Sequence, residues 1–193
     1  MTAPLVLFLA AVVVPVFFGR IRSAPFWLVV QAFALGWVGV AHHGSGSWHA
    51  LAALAEVLVV RAAIAPQLLR RAIHRRAEPN GDLMPSNLFV WAIAVALIVL
   101  AFEFGAPDMG GEQATTLGAV AATVAVAVLL LASNNSPAAQ LVAVLFMENA
   151  IALFESLQPE PWPLPVHVAL STIYLLTVAV GGWLIGEPEG AQA

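Results

Sequence analysis

Residues 86–104 read SNLFVWAIAVALIVLAFEF, a run in which Glu103 is the one charged side chain. Spanning ~30 Å of hydrocarbon takes roughly 20 residues of helix. This run meets that requirement without a partner, and the rest of the chain repeats the pattern. The expected spans are Pro4–Phe18, Pro25–Ala41, Trp48–Ala65, Ser86–Phe104, Gln113–Ala132, Pro137–Leu157 and Pro163–Ile185. Turn-rich pieces separate them: 19–24, His42 to Ser47, 78–82, 105–111, 133–136 and 158–162, each holding Gly, Pro, Asn or Ser. The fold class this predicts is an all-α integral membrane protein, a bundle of about seven transmembrane helices forming one domain over residues 1–193. Lipid leaves only helices and closed barrels as spanning structures, because every backbone polar group must be paired internally.

Composition agrees. Apolar residues make up 61% of the chain and charged residues 9%, with a mean hydropathy of +0.92. A soluble domain carries about 25% charge, since its surface must face water. The chain has no Cys, which excludes disulfides, thiolate catalysis and Cys-ligated zinc or iron–sulfur centres. The first Arg, Arg20, comes after the first apolar run, so that run reads as a retained helix and not a cleaved signal peptide.

The arginines check the helix count independently. Arg20 and Arg22 fall in the first connection; Arg70, Arg71, Arg75 and Arg76 fall in the third. Seven alternating spans put those connections on one side, with the acidic pieces around Glu103–Glu112 and Glu155–Glu160 on the other. The positive-inside rule then places the N-terminus outside and the C-terminus in the cytoplasm. Trp27, Trp48, Trp91, Trp162 and Trp183 sit near expected helix ends, as an aromatic belt requires. Ala114, Gly118, Ala122 and Ala125 put small residues along one side of the fifth span, a spacing that permits close helix contact.

Function is sought in the ionisable groups within the spans, because a mid-bilayer charge costs roughly 2.5–3.5 kcal/mol and usually faces protein or water. Glu148 lies mid-way along the sixth span, between Met147 and Asn149. Burial penalises the charged form of any carboxyl, a property that suits a proton relay. The plainer reading is a Glu that hydrogen-bonds a neighbouring helix. Asn149 and Gln140 are expected as helix-packing polar groups, and Glu155 lies seven residues on from Glu148, on the same face near the outer end. In the third span Glu56 and Arg61 are five apart, about 140° around an α-helix, so each is expected to meet a partner elsewhere. Arg61 could also snorkel to the cytoplasmic rim, with Pro66 breaking or kinking the helix beyond it. The last span carries His167, Ser171 and Tyr174 in one stripe, with Thr172 and Thr177 beside it. His titrates near neutrality and can shuttle protons, although a position near the outer rim also fits a simple interfacial residue. His42, His43 and His49 lack a completing carboxylate or Cys, so no metal is expected. No phosphate loop, nucleophile elbow or zinc-protease motif is present, no cofactor is implied, and the short arginine run offers no nucleic-acid surface but could meet anionic lipid.

Two stretches carry a resemblance. LVVRAAIAPQLLRR, residues 58–71, resembles the apolar segment of hydrogenase-4 membrane component E, with its basic residue, proline and arginine-rich end. Residues 140–154 are similar to that family's Gln-x-x-x-x-Leu-x-x-Glu-Asn-x-x-x-x-Phe helix, with Gln140, Glu148 and Asn149 in register. In that likeness Glu148 stands at the buried Glu shared with the K-type membrane subunit of respiratory complex I. The chain departs by having Arg61 where the family usually has Lys, and His167 where its last helix tends to be acidic. Arg holds its proton more tightly than Lys, so Arg61 is a poor proton exchanger. The resemblance implies a multi-pass subunit of a prokaryotic inner membrane, beside antiporter-like subunits of a hydrogenase-like or complex-I-like oxidoreductase complex. Redox chemistry would occur in the partners. This chain would be non-catalytic and supply Glu148, Glu56, Arg61, Glu155 and His167 to proton or sodium coupling. A purely structural or assembly subunit is the alternative, and a stand-alone transporter is disfavoured by the absence of an internal repeat.

Overall fold

The computed structural model describes residues 2–43, 48–75, 81–84, 87–104, 110–158 and 162–186. Arg76, the Gly44–Ser47 and 78–80 turn residues, residues 105–109 and Glu160, all invoked above, lie outside the described residues, as do the side chains of His43 and His49. Seven helices account for nearly all of the described chain: α1 Thr2–Phe18, α2 Ala24–His43, α3 over residues 48–74, α4 Leu88–Phe104, α5 Gly111–Ser133, α6 Pro137–Phe154 and α7 Leu164–Gly186. There is no strand among the described residues, only an isolated bridge between Arg20 and Asp82.

Five of the seven are long and apolar enough to cross a membrane, and α1 and α4 are shorter apolar helices of 17 residues each. At 1.5 Å per residue the short pair reaches about 26 Å, near the lower limit for a span. The exterior carries many large exposed apolar side chains: Leu88 is 83% exposed, Phe18 80% and Trp48 74%.

Helices α2 and α6 form the middle. Helix α2 buries Leu28, Gln31, Ala32, Leu35 and Val38, a helical stripe that packs on α1, α3 and α6. Helix α6 is buried along its length and touches α2, α5 and α7. Helix α4 is peripheral, with Ala94 its one fully buried residue, and lies on α5. The close approach there depends on Gly118, where a Cβ would fall 2.5 Å from Cδ1 of Phe102. Gly181 does the same between α7 and α6, where a Cβ would meet Leu141 at 2.6 Å. Helix α7 packs through a single stripe, Tyr174, Val178 and Ile185, and leaves Val168, Ile173, Leu176 and Trp183 open.

Three boundaries differ from the sequence expectation. The third helix does not stop at Ala65; it continues to His74, so Arg70 and Arg71 are helical. The reason is amphipathicity: Leu69, Ala72 and Ile73 are buried while Arg70, Arg71 and His74 face out. His42 and His43 belong to the last turn of α2 and not to a loop. Helix α6 ends at Phe154 and passes into a 3-10 turn, Glu155–Leu157.

The two arginine-bearing connections do share one end of the bundle. The backbone N–H of Ile21 donates to Gly81 O at 2.9 Å, and that of Leu83 to Gly19 O at 3.1 Å. Asn134, in the α5–α6 turn, closes the same end by donating to Leu83 O at 2.7 Å and accepting from the Ser136 N–H. Gln140 donates to Asn134 O at 3.1 Å, so it secures this turn and does not bridge two helices.

Candidate functional site

The site begins with an irregularity in α3. After the α-helical stretch Trp48–Glu56, residues Val57–Ile64 are π-helical, and the α-helix resumes at Ala65–His74 with Pro66 in its first turn. The N–H of Ala65 bonds Val60 O, the i to i+5 pattern that defines the π form. In such a stretch residue i+5 returns over residue i. Glu56 and Arg61, off-register on an α-helix, therefore meet: Arg61 Nε donates to Glu56 Oε1 at 3.1 Å. The expectation that this pair could not form within its own helix is corrected by the wider turn. Proline fits here because the loosened ladder leaves less for its missing N–H to break.

Arg61 is 2% exposed, so it does not snorkel to the rim. Its Nη1 donates to Asn149 Oδ1 at 2.8 Å and to the backbone carbonyl of Glu148 at 3.3 Å. The Asn149 amide in turn donates to Gln31 Oε1 at 2.8 Å, which ties α3, α6 and α2 together through buried polar groups. The guanidinium lies over the Tyr174 ring, 4.5 Å from its centroid, and so gains a cation–π contact from α7. The Tyr174 hydroxyl is fully buried near Asn149 but forms no well-directed hydrogen bond.

Glu148 is held differently. Its carboxylate is served by Thr177, whose hydroxyl donates to Oε1 at 2.9 Å, while Arg61 takes only its peptide carbonyl. Oε2 is buried with no hydrogen-bond partner among the described residues. Buried Arg61 and half-buried Glu56 thus cancel as an ion pair, and half-buried Glu148 is left with one neutral donor.

At the end of the bundle opposite the arginines, Glu155 Oε1 pairs with His167 Nε2 at 3.0 Å and accepts the Trp162 N–H at 2.9 Å. His167 lies within electrostatic reach of Glu56 as well. The five groups singled out from the sequence are thus linked by successive interactions, from the Glu148 carbonyl through Arg61 and Glu56 to His167 and Glu155.

Sequence reasoning missed Gln31. Its signal was present: a single amide inside the apolar run from Leu28 to Phe33. Asn149 was singled out as a packing group, and the structure makes it the bridge between Gln31 and Arg61. Among the described residues, no three of His, Asp and Glu gather as ligands of one metal ion would.

Comparison of the chain with protein-family models, with curated proteins and with solved structures gives no match. The resemblance to hydrogenase-4 component E rests on the two quoted stretches.

Proposed function

We propose that the chain is a multi-pass membrane subunit whose buried charge line takes part in moving protons, or sodium ions, through a larger hydrogenase-like or complex-I-like assembly. The observation that carries this reading is the state of Glu148: a half-buried carboxyl with Oε1 on Thr177 and Oε2 buried and without a hydrogen-bond partner among the described residues, set near a neutralised Glu56–Arg61 pair. An unpaired buried oxygen is costly as an anion and is a natural place for a proton to bind. From there the Glu56 and Glu155–His167 groups offer further stations toward the end opposite the arginines. The apolar exterior and the helix lengths support membrane embedding, and the shared arginine end supports an orientation with the N-terminus outside. The prokaryotic inner membrane and antiporter-like partners are proposed from the motif resemblance.

A second reading is favoured by Arg61 itself. A guanidinium that ties Glu56, Asn149, the Glu148 carbonyl and Tyr174 together is also what a structural lock between helices looks like. Glu148→Gln separates the two, because the amide keeps the Thr177 contact but cannot exchange a proton. With the chain purified alongside its partners, the relay reading expects coupled ion movement to fall by about 10²-fold, the scale of a lost proton-transfer group, with assembly intact. Unchanged pumping in a normally assembled complex would leave only the lock.

A further inference from the structure

Outside the buried charge line, the arginine end carries a feature that no function above absorbs. A cleft of about 430 Å³ runs between the start of α2 and the second half of α3. Its mouth is basic, formed by Arg22, Arg70 and His74. Its floor is apolar, formed by Phe26, Val29, Ala62 and Pro66. His74 donates from Nδ1 to Arg70 O at 2.7 Å, which fixes its ring beside Arg70 at the mouth. Arg22 and Arg70 are both exposed, and both sit at the end where α2 begins and α3 finishes.

A second cleft, of about 490 Å³, lies on the other side of α2 and is lined by Arg22, Phe18 and Trp27. Arg22 lines both clefts. Phe26 and Trp27 form an edge-to-face pair, 5.4 Å between centroids, with Phe26 lining one cleft and Trp27 the other. An anion at Arg22 therefore stands at the head of two apolar channels. Neither a soluble anion nor a plain hydrocarbon uses both halves of this arrangement. A diacyl headgroup does.

We propose that the α2–α3 cleft is a binding site for an anionic phospholipid of the arginine-side leaflet, with its phosphate on Arg22 and Arg70 and an acyl chain along Phe26, Val29 and Pro66. Charge complementarity argues for this occupant over a partner helix, because the basic groups gather at the arginine end of the cleft and, Gln67 apart, the rest of its lining is apolar. The cleft also reaches Ala62 and Ala63 in the π stretch, next to Arg61 in sequence, so an occupied site would brace the segment that holds the buried ion pair.

The site rests on the membrane reading, and the test keeps the two apart. The full chain, purified in detergent, is titrated with phosphatidylglycerol or phosphatidylcholine, and retained lipid is read by native mass spectrometry. Phosphatidylglycerol is expected to be retained in preference, and Arg22→Gln with Arg70→Gln to weaken it about 25-fold, at about fivefold per arginine. Arg71→Gln with Arg75→Gln, at the same end but outside the cleft lining, is the control and is expected to stay within about twofold. Val29→Trp, which fills the floor without changing charge, is expected to weaken binding too. Equal retention of both lipids, an equal loss in the Arg71 and Arg75 control, or competition by inorganic phosphate alone would overturn the proposal. Release of the chain from membranes by alkaline carbonate would instead sink the membrane reading. A carbonate-resistant chain indifferent to lipid charge sinks only the site.

Discussion

Replacing Arg61 by Met keeps an apolar stem of similar reach but deletes the charge and its donors. The largest consequence falls on Glu56, whose side chain is 16% exposed and whose ion-pair partner is Arg61. Removing one member of a buried ion pair costs about 3–5 kcal/mol, because the other is left uncompensated. The lost bonds to Asn149 and to the Glu148 carbonyl add less, at about 0.6 kcal/mol each for polar contacts between membrane helices. The cation–π contact with Tyr174 adds about 1 kcal/mol. Arg61→Met should therefore destabilise the bundle by about 5–7 kcal/mol, most of it from the stranded carboxylate. Adding Glu56→Gln removes that charge, so the double variant should recover to a loss of about 2 kcal/mol, the hydrogen bonds and ring contact alone. Unfolding by SDS titration in mixed micelles, followed by far-UV ellipticity, gives both values. A double variant no more stable than Arg61→Met would refute the reasoning, since the orphaned charge would not then be the dominant cost.

Asn149→Leu should cost about 1–3 kcal/mol by leaving the Gln31 amide unpaired, and Gln31→Leu in the same chain should restore part of it, measured in the same titration. Gly181→Ala should destabilise by about 1–3 kcal/mol, because Leu141 is 7% exposed and has nowhere to move. Gly118→Ala should cost less than about 1 kcal/mol, because Phe102 is 41% exposed and can swing aside while alanine improves helix propensity. The chain has no native Cys, so single cysteines report topology cleanly. Gly81→Cys should be labelled by membrane-impermeant maleimide only after the cytoplasmic side is opened, and Gly110→Cys without opening; the reverse pattern would invert the proposed orientation.

Much of this architecture was readable because its cues are local. Gly, Pro and Asn clusters mark turns wherever they fall, and arginine positions carry the pairing of the first and third connections, which Ile21, Gly81 and Leu83 confirm as neighbours. The end of α3 was misread because Arg70 and Arg71 look like a loop on charge alone, whereas Leu69, Ala72 and Ile73 give the segment a buried face. Two features had no local cue. Hydrophobic periodicity assumes an α-helical turn, so it cannot announce the π stretch, and the pairing of Glu56 with Arg61 was lost with it. The Gln31–Asn149 bond spans 118 residues, a separation at which only packing decides which amide meets which.

The π stretch has a consequence for how the chain tolerates change in length. A uniform α-helix turns about 100° per residue, so one added residue normally throws every later side chain onto the wrong face. Here the wider turn absorbs that offset, letting a single rod aim Arg61 and, further down, Leu69 and Ile73 at the interior. Deleting one residue between 57 and 64 would tighten the rod to α form, leave Ala65–His74 on its present face and part Glu56 from Arg61. The segment is a place where the loss of one residue is taken up by the winding of the helix, so that its cost falls on the Glu56–Arg61 pair and not on the packing of the later half.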